Sequence, residues 1–329
     1  MGRAREFGHL VKPLVAGHPP GGLYREPRVW MESKDLEGFN AHISYGFLKE
    51  TGPVHPIEGA LVHPYDECLV FAGIDNNDIR YLGAEVSIEM GEEREEHVFT
   101  QPTVVLVPKG MPHGPAVIRS SERPIVHYTV GLAPEYKATK VASASLPPKS
   151  SGSKHARWIK PLITRVGEGG SGMGYEKVVD SQGVMRPTLK RPEANPLIDM
   201  EQVGEIGPGN ADQLVWLFGP NLEGMDVNFT WGFYTQCGKW HRGGEAHTHP
   251  EEEILVFVGL DPDNLELLGA ELEVGMGPDC ERHIFNKPTV AICPQGFPHL
   301  PLITRWVDRP YGFFVICLSG EHDSPWVEA

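Results

Sequence analysis

Nothing in this 329-residue sequence approaches the roughly 20 consecutive apolar residues that a membrane-crossing helix needs, so membrane partners are not expected. The opening stretch, MGRAREFGHLVKPLVAG, carries Arg3, Arg5 and Lys12 and lacks the unbroken apolar run of a secretory signal. Cysteine is scarce. Cys68, Cys237, Cys280, Cys293 and Cys317 are odd in number and widely spaced, with no CxxC pair. They read as free thiols in a reducing compartment, with the cytoplasm as the expected location. Positive charge is also short: 29 Lys plus Arg stand against 44 Asp plus Glu, for a formal net charge of -15. A chain this acidic is repelled by phosphate backbones, so nucleic acid is not an expected partner. No GxGxxG or Walker-type loop lies in a strand-to-helix setting, and no GxSxG elbow is present. Nucleotide binding and serine-hydrolase chemistry therefore lack support. The acidic run Glu92 to Glu96 reads as a solvated turn.

What the sequence does contain is a long internal repeat at one fixed offset, the offset that carries Gly38 onto Gly224. GFNAHISYGFLKETGPVH at 38–55 falls on GMDVNFTWGFYTQCGKWH at 224–241. The register then holds without a gap. HPYDECLVFAGID from His63 lies on HPEEEILVFVGLD from His249, LGAE from Leu82 on LGAE from Leu268, and PKGMPH from Pro108 on PQGFPH from Pro294. Arg123 and Pro124 still match Arg309 and Pro310.

Each copy consists of short apolar segments separated by Gly, Pro, Asn or Asp, with almost no 3.6-residue periodicity. That rhythm predicts an all-β barrel or sandwich in each copy. Residues 138–158, rich in Ser, Ala, Lys and Pro, read as a linker, which places one domain at 1–148 and the other at 149–329. A weaker echo, KPLV at Lys12 and KPLI at Lys160, suggests that each domain opens with a related strand. Because a duplicated barrel presents similar edges twice, a homodimer is compatible with this plan.

In the second copy, His247 and His249 are two residues apart and point to one face of an extended chain. Pro250 and the acidic residues after it turn the chain, so that Glu253 opens the next strand beside the first. His299 follows the turn-forming PQGFP. Three imidazoles and one carboxylate suit a divalent first-row ion and leave one or two positions open. Fe(II) or Mn(II) is preferred, and Ni, Zn, Co and Cu are compatible. Without a cation, burying this set would strand a carboxylate and several ring nitrogens.

HTHPEEE at 247–253 and PQGFPH at 294–299 closely resemble the two metal-binding motifs of the cupin superfamily, and the duplication resembles the bicupins. The resemblance covers 38–124 and 224–310. It implies two tandem jelly-roll (double-stranded β-helix) barrels, with His247, His249, Glu253 and His299 in the family's ligand roles. Three positions depart from the family pattern. His241 stands where the first motif usually opens with Gly, Pro288 where the second usually has Gly, and Ile303 where an Asn usually follows the last ligand. The first two bear on turns, and the third removes a polar neighbour of the oxalate oxidase mechanism.

Carried back into the first copy by the same offset, the ligand set becomes Leu61, His63, Glu67 and His113. One histidine has become leucine, so the first copy is expected to be mainly architectural, although a facial triad formally remains. His55 and His241 form a matched pair, as do His97 and His283, the latter read as surface groups or outer donors.

Around the complete site, Tyr234 in FTWGFYTQ is a candidate polar handle. Arg305, six residues after His299 and therefore expected on its side of the strand, is a candidate clamp for a substrate oxygen. Glu245, with Arg242, lies on the approach loop and is a candidate for proton transfer. Cys237 and Cys280 have no assigned role.

The leading expectation is a metal-dependent dioxygenase acting on a small substrate with enol, phenol or carboxylate oxygens. Redox-silent use of the same site would polarise a carbonyl, making the chain a lyase, decarboxylase or isomerase. A third reading is a non-catalytic bicupin that binds a metal or small ligand.

Overall fold

The computed structural model describes residues 6–56, 58–142, 149, 152–162, 184–185, 211–240, 246–325 and 327. Its regular structure is antiparallel β, interrupted only by short 3-10 turns. The contacts divide the chain into one unit of residues 15–162 and another combining 1–14 with 163–329. The division expected near residue 148 thus falls at residue 162, and the opening residues join the unit of the second repeat.

In the first unit, one sheet runs Ile159–Pro161, Thr103–Val107, Glu67–Ala72, Ile125–Gly131, His42–Leu48, Arg28–Met31, Ala16–Gly17. The facing sheet runs Thr139–Val141, Ala60–Val62, His113–Ser121, Ala84–Met90, Glu95–Phe99. The second unit repeats the plan. Its larger sheet runs Val11–Pro13, Thr289–Cys293, Glu253–Gly259, Tyr311–Cys317, Asn228–Tyr234, Gln213–Leu217, Val184–Met185. Its smaller sheet runs Gly238–Lys239, His299–Val307, Ala270–Met276, Glu281–Phe285. Two stacked antiparallel sheets of this order form the expected jelly roll.

Central strands are buried along their whole length. In Glu253–Gly259, Asn228–Tyr234 and Tyr311–Cys317 every residue is buried, which is why these segments read as continuous apolar runs rather than alternating ones. Each large apolar side chain removed from water in this way stabilises the barrel by roughly 1.5–3 kcal/mol. Outer positions of the smaller sheet are wetter, as in Glu281–Phe285.

The echo around Lys12 and Lys160 marks two arms. Val11–Pro13 pairs with Thr289–Cys293, and Ile159–Pro161 pairs with Thr103–Val107. Each arm therefore edges the barrel of the repeat that does not follow it in sequence. Carboxylates receive both arms: Glu281 accepts the backbone N–H groups of Glu6 and Phe7, and Glu95 those of Lys154 and His155. Glycine makes room for them. A Cβ on Gly277 would overlap the Phe7 ring and one on Gly91 the His155 ring, and both glycines have positive φ. The stretch read as a linker thus has structured ends, since edge pairing by Thr139–Val141 needs backbone groups rather than apolar alternation.

Candidate metal centre

The second barrel assembles its four donors from two strand starts and the segment that leads into the first of them. Glu253 begins the strand Glu253–Gly259, and His299 begins His299–Val307. His247 and His299 face each other as an isolated antiparallel bridge, with backbone N···O distances of 3.2 and 3.1 Å. The chain turns after His249 and returns as Glu253, as the Pro250 spacing implied. All four side chains are buried, and one donor atom from each lies within 4.8 Å of every other. His299 Nε2 is 3.1 Å from Glu253 Oε2, and His249 Nε2 is 3.2 Å from the same oxygen.

Backbone carbonyls set the ring orientations. His249 Nδ1 donates to the Asp323 carbonyl at 2.7 Å, and His299 Nδ1 to the Phe297 carbonyl at 3.2 Å. A carbonyl only accepts, so each ring carries its proton on Nδ1 and turns the Nε2 lone pair inward. Glu253 Oε2 and His249 Nε2 are buried without a well-directed hydrogen bond despite their proximity. Converging lone pairs and a buried carboxylate are the donor set that a divalent cation satisfies.

Glu253 and the imidazoles also shift one another. Burial alone would raise the pKa of Glu253, yet His249 and His299 hold it well below the ordinary carboxylate range. Burial would likewise lower that of His249, but Glu253 and the Asp323 carbonyl outweigh it and the net shift is upward.

His322 lies beside the ligands, its ring 4.7 Å from that of His249, and it was not anticipated. The repeat register does reach this far. In the first barrel His63 Nδ1 donates to the Lys137 carbonyl at 2.7 Å, and the ring of Tyr136 lies 5.4 Å from that of His63. Under the repeat offset Lys137 falls on Asp323 and Tyr136 on His322, but the residue types differ and hide the correspondence.

The first barrel keeps three of the four donors together. His63, Glu67 and His113 are buried with donor atoms within 4.8 Å of one another, so this group too could hold an ion. Leu61 pairs in register with His113, as His247 does with His299, and so fills the fourth corner with a buried apolar side chain. The carboxylate responds: burial pushes Glu67 up, only partly opposed by His63, and His113 stands 3.9 Å away. Burial, with His63 and His55, pushes His113 down to about 3.

The other candidates separate. Arg305 is on the outer face, ion-paired with Glu271 at 3.2 Å and Glu273 at 3.7 Å, so it does not share the side of His299. A register shift explains this. Between the pairs Met276↔His299 and Val274↔Leu302, three steps on one strand oppose two on the other, which inverts the parity counted from His299. Arg119 is outward for the same reason, paired with Glu96 and Glu85.

Tyr234 does face the barrel interior, but at the other end. Glu253 pairs with Cys317 and Tyr234 with Tyr311, six residues apart along that strand, or roughly 20 Å. The Tyr234 ring is stacked between Trp240, at 4.0 Å, and Tyr311, at 5.3 Å. Phe229, Trp231 and Phe233 occupy the opposite face of the strand and are also buried. Glu245, Arg242 and His241 lie outside the described residues. His97 and His283 pair with Glu95 and Glu281, the carboxylates that receive the two arms.

No family model matches the sequence, and no curated protein matches it. Solved structures do. Oxalate decarboxylase from Bacillus subtilis at pH 4.6 is similar at 11% identity, covering 97% of this chain and 78% of that one with a TM-score of 0.53. A second structure of that enzyme, from work on its Mn(II) centres, is similar at 11% identity, with 97% and 79% covered and a TM-score of 0.53. At this identity the likeness speaks to the fold. Together with the internal repeat and two buried His/Glu groups, it gives this chain a bicupin architecture of two jelly rolls.

Proposed function

We propose that the chain is a metal-dependent enzyme of the lyase or decarboxylase type, acting on a small carboxylic acid at the second barrel. The observation that carries this reading is the buried convergence of His247, His249, Glu253 and His299, with Nδ1 of His249 and His299 bound to carbonyls. A divalent ion held by these residues would supply a Lewis acid that polarises a carboxylate or carbonyl oxygen.

The chain's own residues do the rest. Glu253 stays anionic and neutralises part of the ion's charge. The locked imidazoles hold their lone pairs in place, so little reorganisation accompanies binding. Four protein ligands leave one or two positions for substrate oxygens. Similarity to an oxalate decarboxylase over 97% of the chain supports C–C bond cleavage in a small acid over the dioxygenase reading. Both readings use the same ligands, and Mn(II) or Fe(II) suits either.

The test is turnover of metal-loaded protein with small dicarboxylic and keto acids, following carbon dioxide release and dissolved oxygen together. Carbon dioxide release without net oxygen consumption is expected. Oxygen consumed one-for-one with substrate would return the assignment to a dioxygenase.

A further inference from the structure

The first barrel departs from the second at the end away from His63, Glu67 and His113. In the second barrel this end is plugged by Tyr234, Trp240, Tyr311 and Phe313, with Thr304 tying Trp240 Nε1 at 2.8 Å to Tyr311 Oη at 2.7 Å. Carried back by the repeat offset, these become Leu48, Val54, Ile125, His127 and Ile118, all but His127 aliphatic and His127 smaller than the Phe it matches. Tyr24 and Arg28 refill part of this volume, the Tyr24 ring packing against His55 and His127. A cavity of about 60 Å³ opens there, lined by Leu48, Val54, Ile118, Phe47, Tyr24 and Arg28.

Arg28 occupies the position that Leu214 holds in the second barrel. Val29 pairs with Tyr45 as Val215 does with Trp231, and Gly46 makes space for Arg28 as Gly232 does for Leu214. Arg28 is only 2% exposed. Its guanidinium lies 3.6 Å over the Tyr24 ring, and one Nη donates to the His127 carbonyl at 2.6 Å. Its Nε has no hydrogen-bond partner.

Among the described residues no carboxylate pairs with it. Burial pushes its pKa down, and the opposing groups are the Tyr24 and Tyr45 hydroxyls. Tyr24 is committed elsewhere: His127 Nδ1 donates to the Val70 carbonyl, so His127 Nε2 accepts from Tyr24 Oη at 3.1 Å. The buried ring of His55 lies against Tyr24, with its Nε2 also unpartnered. At the mouth, Arg25 and Lys49 balance Glu26 and Glu50, leaving Arg28 as the interior charge.

A buried guanidinium without a counter-charge is costly, and an anion bound beside it removes that cost. We propose that the first barrel is a binding site for a small monocarboxylate, gripped by Arg28 and packed against Leu48, Val54 and Ile118. The apolar wall selects an organic anion over an inorganic one. The volume accommodates about four to six waters, and hence a ligand of about that many heavy atoms. The site is separate from the His63, Glu67 and His113 group: Gly46, beside Arg28, pairs with His127, and Glu67 with Gly131, four residues or roughly 13 Å further along the strand.

The test is calorimetric titration of the full chain with sodium butyrate in chloride-free buffer, with butyramide and n-butanol as neutral isosteres, before and after treatment with a chelator. Expected is one butyrate per chain with a Kd of about 0.1–1 mM, the range for a six-atom ligand. The isosteres should bind at least about tenfold more weakly, and chelation should change nothing. Arg28→Met should weaken binding by at least about tenfold. Val54→Trp, which supplies the plug of the second barrel, should abolish binding with Arg28 intact. Equal binding of the isosteres, chloride competing as well as butyrate, loss on chelation, or retention in Val54→Trp would each overturn the proposal. Because Val54→Trp and the isosteres keep Arg28, an Arg28→Met chain that fails to fold leaves the test decisive.

Discussion

Leu61 stands opposite His113 in the first barrel as His247 stands opposite His299 in the second. One side chain thus separates a three-donor group from a four-donor group on the same backbone plan. Leu61→His should complete the first set. A second tightly held equivalent of metal per chain is expected, with affinity raised at least about tenfold over the three-donor group. Competition against a chromophoric chelator reads this directly, and an unchanged metal count would show that position 61 is not a ligand corner.

Glu253 is the one anion among the second barrel's donors. Glu253→Gln keeps the volume and removes the charge, so metal should be lost and turnover with it, by at least about a hundredfold. Metal-dependent stabilisation should vanish as well, so that adding Mn(II) no longer raises the melting temperature. A variant that still gains stability from Mn(II) would place the ion elsewhere.

Arg305 makes the contrary case. Its ion pairs with Glu271 and Glu273 lie on the outer face. Arg305→Ala should leave turnover within about threefold and lower stability by no more than about 1 kcal/mol, because the Glu271 pair is solvent-accessible and the buried Glu273 keeps Arg282 as its partner. Steady-state kinetics beside a urea titration checks both, and a large loss of activity would return Arg305 to the site.

Gly277 seats the arm that begins the chain. Gly277→Ala both strains a positive φ and drives a methyl into the Phe7 ring. A loss of about 1–3 kcal/mol is expected in denaturant unfolding, with faster proteolysis of the arm. Gly91→Ala should act likewise on the His155 segment, and wild-type stability in both would show that the arms do not depend on these seats.

Much of this was legible from residue identity. The convergence of the four residues could be read because coordination tolerates few residue types, so HTHPEEE and His299 form a pattern, and Leu61 stands out against it. Parity failed where the backbone departs from a regular strand. Counting six from His299 placed Arg305 inward, and the register shift at Pro301, a residue with no N–H to give the ladder, put it outside. Tyr234 turns into the barrel far from the four donors, because alternation carries no information about height along a barrel. The arms were visible as KPLV and KPLI, whereas their choice of barrel depends on long-range edge pairing. Arg28 gave no signal at all, because the repeat aligns it with Leu214 in a strand outside the segments of strong identity.

The central claim is that the second barrel holds a divalent ion on His247, His249, Glu253 and His299. Elemental analysis of protein purified without added metal, run beside His299→Ala, tests it most directly. One tightly held divalent transition ion per chain, lost in the variant, is expected. A metal-free wild-type chain that takes up no Mn(II) or Fe(II), or a metal content unchanged by His299→Ala, would contradict it.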